Sequence, residues 1–163
     1  MTPDQYIQSL QVSEPPTPTY EVDSMSDDEL FCLDLLDKVG ADNITDEELQ
    51  QALENASKVD DDRLRGMAFV ELATIYFSRK NYALAIENCQ LAFAIFEHLN
   101  NPEGLGRATN TLGTIYKENK EFTKAASYFN QSLIYYESIG DLRQIASVYH
   151  NVATVFYAQR RYQ

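Results

Sequence analysis

The stretch LATIYFSRKNYALAI, beginning at Leu72, returns forty residues later as LGTIYKENKEFTKAA from Leu112, and after forty more as VATVFYAQRRYQ from Val152. At this offset Ala68, Ala108 and Val148 correspond, as do Leu72, Leu112 and Val152. Thr74, Thr114 and Thr154 are one residue used three times; Tyr76, Tyr116 and Phe156 follow, then Tyr82, Phe122 and Tyr162. A fixed period in this range restricts the chain to a stack of supersecondary units, each too small to bury its apolar face alone. Within each unit the spacing is helical. Leu105, Ala108, Leu112, Ile115 and Tyr116 form one stripe, and Phe122, Ala125, Ala126, Phe129, Leu133 and Tyr136 another. No stretch alternates with period two for long enough to make a strand. The expected fold is all-α, a right-handed α-solenoid of antiparallel helix hairpins with an extra N-terminal helix pair.

Start and stop signals divide the chain. Residues 1–24 contain SEPPTPTYEVDS, whose prolines break any ladder, and read as a disordered acidic lead-in. Residues 25–59 form an acidic helical segment with two capping boxes, Ser26 with Glu29 and Thr45 with Glu48. Its first helix places either Leu30, Leu33 and Leu36 or Leu30, Phe31 and Leu35 on one side, and Gly40 is its expected stop. Residues 60–163 hold the repeats, as 60–100, 101–140 and an incomplete 141–163. Turns are expected at 79–81, at 119–120 and, in the third unit, near Arg160, with Asn101 and Pro102 opening one helix and Gly140 ending another.

The charge is uneven. Residues 1–62 carry 17 acidic side chains against 2 basic ones, whereas residues 63–163 carry 8 against 11. The first part repels nucleic acid and anionic membrane, so neither is an expected partner. No apolar run approaches the ~18 residues of a membrane span, and MTPDQYIQSL lacks the basic start and apolar core of a secretory signal. Cys32 and Cys89 stand alone, without zinc or disulfide spacing. A cytoplasmic location is expected.

The residues that carry the repeat resemble the tetratricopeptide repeat. The second unit reads Leu112, Gly113, Tyr116, Phe122, Ala125, Phe129, Ser132, and the first Leu72, Ala73, Tyr76, Tyr82, Ala85, Cys89, Ala92. The small residue after Leu lets two helices approach closely, and the aromatic opening the second helix closes the hairpin. The period here is 40 rather than the family's usual ~34. Lys80, Lys120 and Arg160 stand where the family has a turn glycine. The longer variety occurs in spindle-orientation scaffolds, kinesin light chains and bacterial peptide-sensing regulators. The resemblance implies a non-enzymatic module that binds a peptide or helix of a protein partner in a concave groove lined by the first helix of each unit. Mapped onto this chain, the groove positions are Val70, Thr74 and Phe77; Arg107, Asn110, Thr114 and Lys117; and Ser147, His150, Asn151 and Thr154. Asn suits the task because its amide both donates and accepts. Of the family's carboxylate clamp only Arg107 and Asn151 match, so a chaperone-tail clamp is not expected.

The charge split suggests an alternative, in which the acidic N-terminal segment covers the groove as a regulator or chaperone-like device. The unfinished third hairpin leaves apolar area open, which implies a longer array or self-association through that end. Other chemistry has little support. His98 reads as a surface residue near a helix end. Cys89, at the position of Phe129, and Cys32 read as buried, inert thiols. EGLGR lacks a preceding strand and a third glycine, and Asp27, Asp28, Glu29, Asp34 and Asp37 do not have calcium-loop spacing. No nucleophile, base, metal or cofactor constellation is expected.

Overall fold

The computed structural model describes residues 25–38 and 43–161. Seven helices make up this part: α1 (Asp27–Lys38), α2 (Asp46–Ala56), α3 (Asp62–Ser78), α4 (Tyr82–His98), α5 (Pro102–Glu118), α6 (Phe122–Ile139) and α7 (Leu142–Arg161). The expected lead-in 1–24, the stop at Gly40 and the next-helix residue Tyr162 lie outside the described residues.

Both capping boxes form. Glu29 N donates to Ser26 Oγ at 3.2 Å and Ser26 N to Glu29 at 2.8 Å; Thr45 and Glu48 repeat the exchange at 3.2 and 2.8 Å. The buried face of α1 agrees with the second of the two expected faces at Phe31 and Leu35, but not at Leu30, and adds Cys32. Cys32 and Leu35 are buried and Phe31 is half-buried, whereas Leu30 and Leu33 are exposed; the side chain of Leu36 lies outside the described residues. The reason is that α1 docks on α3 through Cys32, whose thiol reaches the Leu64 carbonyl at 3.5 Å. Asp28 accepts from Asp60 N at 3.0 Å and ties the start of α1 to the entry of α3. α2 also packs on α3, and Arg79 at the C-terminal end of α3 donates to Asp46 at 2.6 Å and to the Ile44 carbonyl at 2.5 Å. Two acidic helices thereby cover one side of the first repeat.

From α3 onward each helix packs against the next, and α3–α5 and α5–α7 also touch directly. This is a helical-repeat solenoid whose first helices form one wall. Its turns share one geometry at twenty-residue intervals. Asn81, Asn101, Glu121 and Asp141 each donate a backbone N–H to the carbonyl five residues back, at Tyr76, Phe96, Tyr116 and Tyr136, over 2.9–3.1 Å. The residue between, Lys80, Asn100, Lys120 or Gly140, is left-handed, with φ of 60, 50, 63 and 68°. This is the Schellman termination, used here mostly without glycine. Arg160, at the matching place in the third unit, remains within α7, so the turn expected there does not form by Arg161.

The aromatics at these helix ends fill the space between hairpins. Phe96 lies between Gly66 of α3 and Gly104 of α5; a methyl at Gly66 would sit 2.8 Å from its ring, and one at Gly104 would overlap it. Gly106 receives Tyr136 and Gly113 receives Phe129 in the same manner. Ser132 Oγ donates to the Gly106 carbonyl at 2.8 Å and satisfies its own burial across the α5–α6 contact. Cys89 is fully buried, and burial pushes its thiol up to about 12. Burial, helped by nearby carboxylates of which Asp28 comes first, pushes Cys32 up to about 11. Neither is a thiolate at neutral pH.

Two substitutions separate close approach from turn strain. Gly104→Ala should lower stability by about 1–3 kcal/mol in urea unfolding, because overlap with Phe96 outweighs Ala's helix preference. Lys80→Gly should raise it by about 0.5–1 kcal/mol, because relief of left-handed strain exceeds the entropic cost of glycine.

Candidate partner-binding groove

The wall formed by α3, α5 and α7 carries the expected groove positions in register, because forty residues separate corresponding sites on successive helices. A cavity of about 440 Å³ opens across it, lined by Val70, Glu71 and Thr74 of α3, by Glu103, Arg107, Asn110 and Thr111 of α5, and by Tyr136, Asp141 and Gln144 at the α6–α7 junction. A smaller cavity of about 280 Å³ lies farther along, lined by Lys117, Glu118, Lys120, Phe122, Thr154 and Ala158. A third, of about 560 Å³, lies at the α2–α3–α4 junction around the Asp46–Arg79 ion pair and away from this wall.

Of the expected residues, Val70, Thr74, Arg107 and Asn110 line the first cavity, and Lys117 and Thr154 the second. Val70 was expected to project into the groove. It is only 2% exposed and belongs to the core, so it forms a floor. Phe77 is half-buried against the core, its ring 6.1 Å from that of Tyr82, where the first hairpin closes. Ser147 and His150 are exposed on α7 and line neither cavity. The threonines turn inward along their own helices. Thr74 and Thr114 donate to the carbonyls of Val70 and Asn110 at 3.1 Å, and Thr154 to that of Asn151 at 2.7 Å. Their hydroxyl oxygens retain acceptor capacity.

Contacts between helices fix the remaining polar groups. Asn151 Nδ2 donates to Asn110 Oδ1 at 3.0 Å, joining α7 to α5. This orientation leaves the Asn110 amide nitrogen as donor and the Asn151 amide oxygen as acceptor for a third group. Lys117 Nζ approaches Thr154 Oγ1 at 3.5 Å. Arg107 forms an ion pair with Glu71, joining α5 to α3.

Glu71 is the residue that reading the groove positions did not single out, together with Glu103, Thr111, Tyr136, Asp141 and Gln144. It is 5% exposed. Burial raises its carboxyl above the usual range, against the opposing pull of Arg107. Burial likewise pushes the Tyr136 phenol up to about 12. The cavity thus holds three carboxylates, Glu71, Glu103 and Asp141, against one guanidinium. Among the described residues, no group of three or more His, Cys, Asp or Glu is placed to hold a metal ion. No helix there is long and apolar enough to cross a membrane.

The raised carboxyl of Glu71 fixes the sign of a pH effect. The folded state binds this proton more tightly than the unfolded chain. Glu71 therefore favours folding below its unfolded pKa, and that contribution is lost as pH rises through the folded value. Relative to Glu71→Gln, the unaltered protein should gain in melting temperature as pH falls from neutral towards the ordinary carboxylate range. A difference that stays constant or shrinks on acidification would contradict the assignment.

Residues 64–138 match the family model described as tetratricopeptide repeat. A relative from Guillardia theta, described as "Uncharacterized protein ycf37", is 29% identical over 115 residues, covering 70% of this chain. The chain spans 61% of that relative's length. No solved structure matches. The match covers the hairpins α3–α4 and α5–α6, whose close helix approach at Gly113 and ring closure at Tyr82 and Phe122 are the features the resemblance rests on. Over residues 64–138, the helices α3 to α6, the chain is similar to the tetratricopeptide repeat family.

Proposed function

We propose that the chain is a non-enzymatic interaction module that holds a segment of a protein partner along α3, α5 and α7. Tetratricopeptide repeats mediate protein–protein interaction. The observation that carries the reading here is the 440 Å³ cavity shared by these helices, with polar contacts joining each wall helix to the next. The amides of Asn110 and Asn151 offer a donor and an acceptor to a partner's backbone, and the excess of carboxylates suits a partner that brings a Lys or Arg side chain. Val70 and Tyr136 give that side chain's stem an apolar floor. Arg107, Lys117, Thr114 and Thr154 act as flanking contacts; Ser147 and His150 extend the surface along α7.

The test is fluorescence anisotropy with a peptide library varied at one central position. Lys and Arg peptides should bind best. Asn110→Ala with Asn151→Ala should weaken binding about tenfold at unchanged helicity. Glu103→Gln should reduce the preference for the basic residue. Equal affinities for acidic, neutral and basic peptides would contradict the cavity's assigned role.

The uneven charge supports a second, regulatory reading. Residues 1–24 are acidic, and Lys117 and Lys120 line the second cavity. The N-terminal segment then covers that end of the wall. Each exposed pair contributes only about 0–1 kcal/mol and is screened by salt. Deleting residues 1–24 should strengthen peptide binding at low salt and have little effect at high salt. An unchanged low-salt affinity would eliminate self-occlusion.

A further inference from the structure

We propose that Glu71, through its hold on Arg107, sets the charge preference of the groove cavity. The inference rests on the groove reading above and adds the residue that determines specificity there. The forty-residue register shows that the stack does not need this pair. At the contact between α3 and α5 the two positions hold Glu71 and Arg107. At the contact between α5 and α7 the matching positions hold Thr111 and Ser147. Thr111 satisfies itself on the Arg107 carbonyl at 3.0 Å, with no charge involved. A buried ion pair is weak evidence for stability, since desolvation of the two charges offsets most of their attraction. Among the described residues Arg107 is the one partner of the Glu71 carboxylate, which lies beneath the cavity at 5% exposure. Its effect is therefore sought in the cavity rather than in the packing.

Four charged side chains line that cavity, and the charges of Arg107, Asp141 and Glu103 all act on the Tyr136 phenol. Among the described residues Glu103 makes no ion pair. The Asp141 carboxylate accepts the Gln144 backbone N–H at 3.1 Å, as the cap of α7. Arg107 has a choice of carboxylates. Glu71 faces it across the α3–α5 contact, and Glu103 stands four residues earlier on its own helix. An acid four residues N-terminal to a base is the favourable spacing on a helix face. Glu71 takes the guanidinium, so an entering cation meets Glu103 and Asp141 without an unpaired guanidinium beside them. The Arg107 side chain is 39% exposed against 6% for that of Glu71, so the guanidinium has room to turn and the carboxylate does not. Without the Glu71 charge, Arg107 turns to Glu103 and competes with the ligand for it. Glu71 is thus a positioning residue. It touches Arg107, not the partner, and its removal converts a cavity for Lys or Arg into one with little charge discrimination.

Affinities are measured on the full 163-residue chain with peptides identical except for Lys, Gln or Glu at the central position. The unaltered protein should prefer Lys to Glu by about tenfold or more. In Glu71→Gln that ratio should fall by about fivefold. The fold should persist, because the partner left behind is the half-exposed one, and circular dichroism checks this. Glu71→Gln combined with Arg107→Gln should recover the ratio, since the competing guanidinium is gone. A merely structural role for Glu71 would weaken all three peptides alike, and a second substitution would not reverse it. A ratio unchanged in Glu71→Gln, or lost there and not recovered in the double variant, would overturn this proposal and leave the groove reading in place. No preference for Lys in the unaltered protein would remove both.

Discussion

An aromatic ring seated on a glycine is the contact that the stack depends on. Phe96 shows it most clearly, held between Gly66 of one hairpin and Gly104 of the next. A Cβ on the glycine meets the ring, and a smaller side chain than Phe leaves a void that the relatively rigid helices cannot close. The same ring belongs to the last turn of its helix. Four residues after Tyr76, Phe96, Tyr116 and Tyr136 the chain turns left-handed, and the following N–H returns to that residue's carbonyl. Phe96 and Tyr136 are therefore fixed twice, by the glycine beneath the side chain and by the turn closed on the backbone. The spacing of rings sets the helix length, and the helix length sets the forty-residue period.

This coupling explains how lysine and asparagine occupy left-handed positions. The conformation costs an L-residue about 1–2 kcal/mol. It persists where a docked helix follows, as after Lys80, Asn100 and Lys120. Phe156 is the next member of the twenty-residue series, yet it is exposed, and Arg160 four residues on is helical.

The sequence made much of this legible because the relevant signals are local or periodic. Capping boxes at Ser26 and Thr45, the stop at Gly140 and the helices α3 to α6 all follow from spacing within about one turn. What escaped depends on distant packing. The turns at Lys80 and Lys120 are legible in the sequence, but their left-handed backbone is not, because no glycine announces it. The buried face of α1 is decided by α3, thirty residues away, which selects Cys32 and Leu35 over Leu30 and Leu33. Val70 holds a groove position by register but is part of the core. Glu71 meets Arg107 across two helices, thirty-six residues apart, and no periodic pattern points to a buried carboxylate there. The candidate groove was thus readable as a set of positions, while its electrostatic character was not.

That character changes from unit to unit, because packing constrains only part of each wall helix. Ala68, Ala108 and Val148, or Leu72, Leu112 and Val152, must remain apolar, and the threonines at 74, 114 and 154 satisfy their own helices. The positions between them are less constrained on α5 and α7, while on α3 Val70 lies in the core and Met67 and Phe77 pack against it. They read Met67, Val70 and Phe77 on α3, Arg107, Asn110 and Lys117 on α5, and Ser147, His150 and Tyr157 on α7. The wall therefore passes from apolar beside α1 and α2 to charged in the middle and mixed at α7. A uniform stack would let an extended segment slide by one unit at little cost. A wall that differs at every unit opposes such a shift, since moving a basic side chain from the Glu71–Glu103–Asp141 cavity towards Lys117 replaces attraction with repulsion. Regular packing beneath and irregular chemistry above are what fix register in a repeat of this kind.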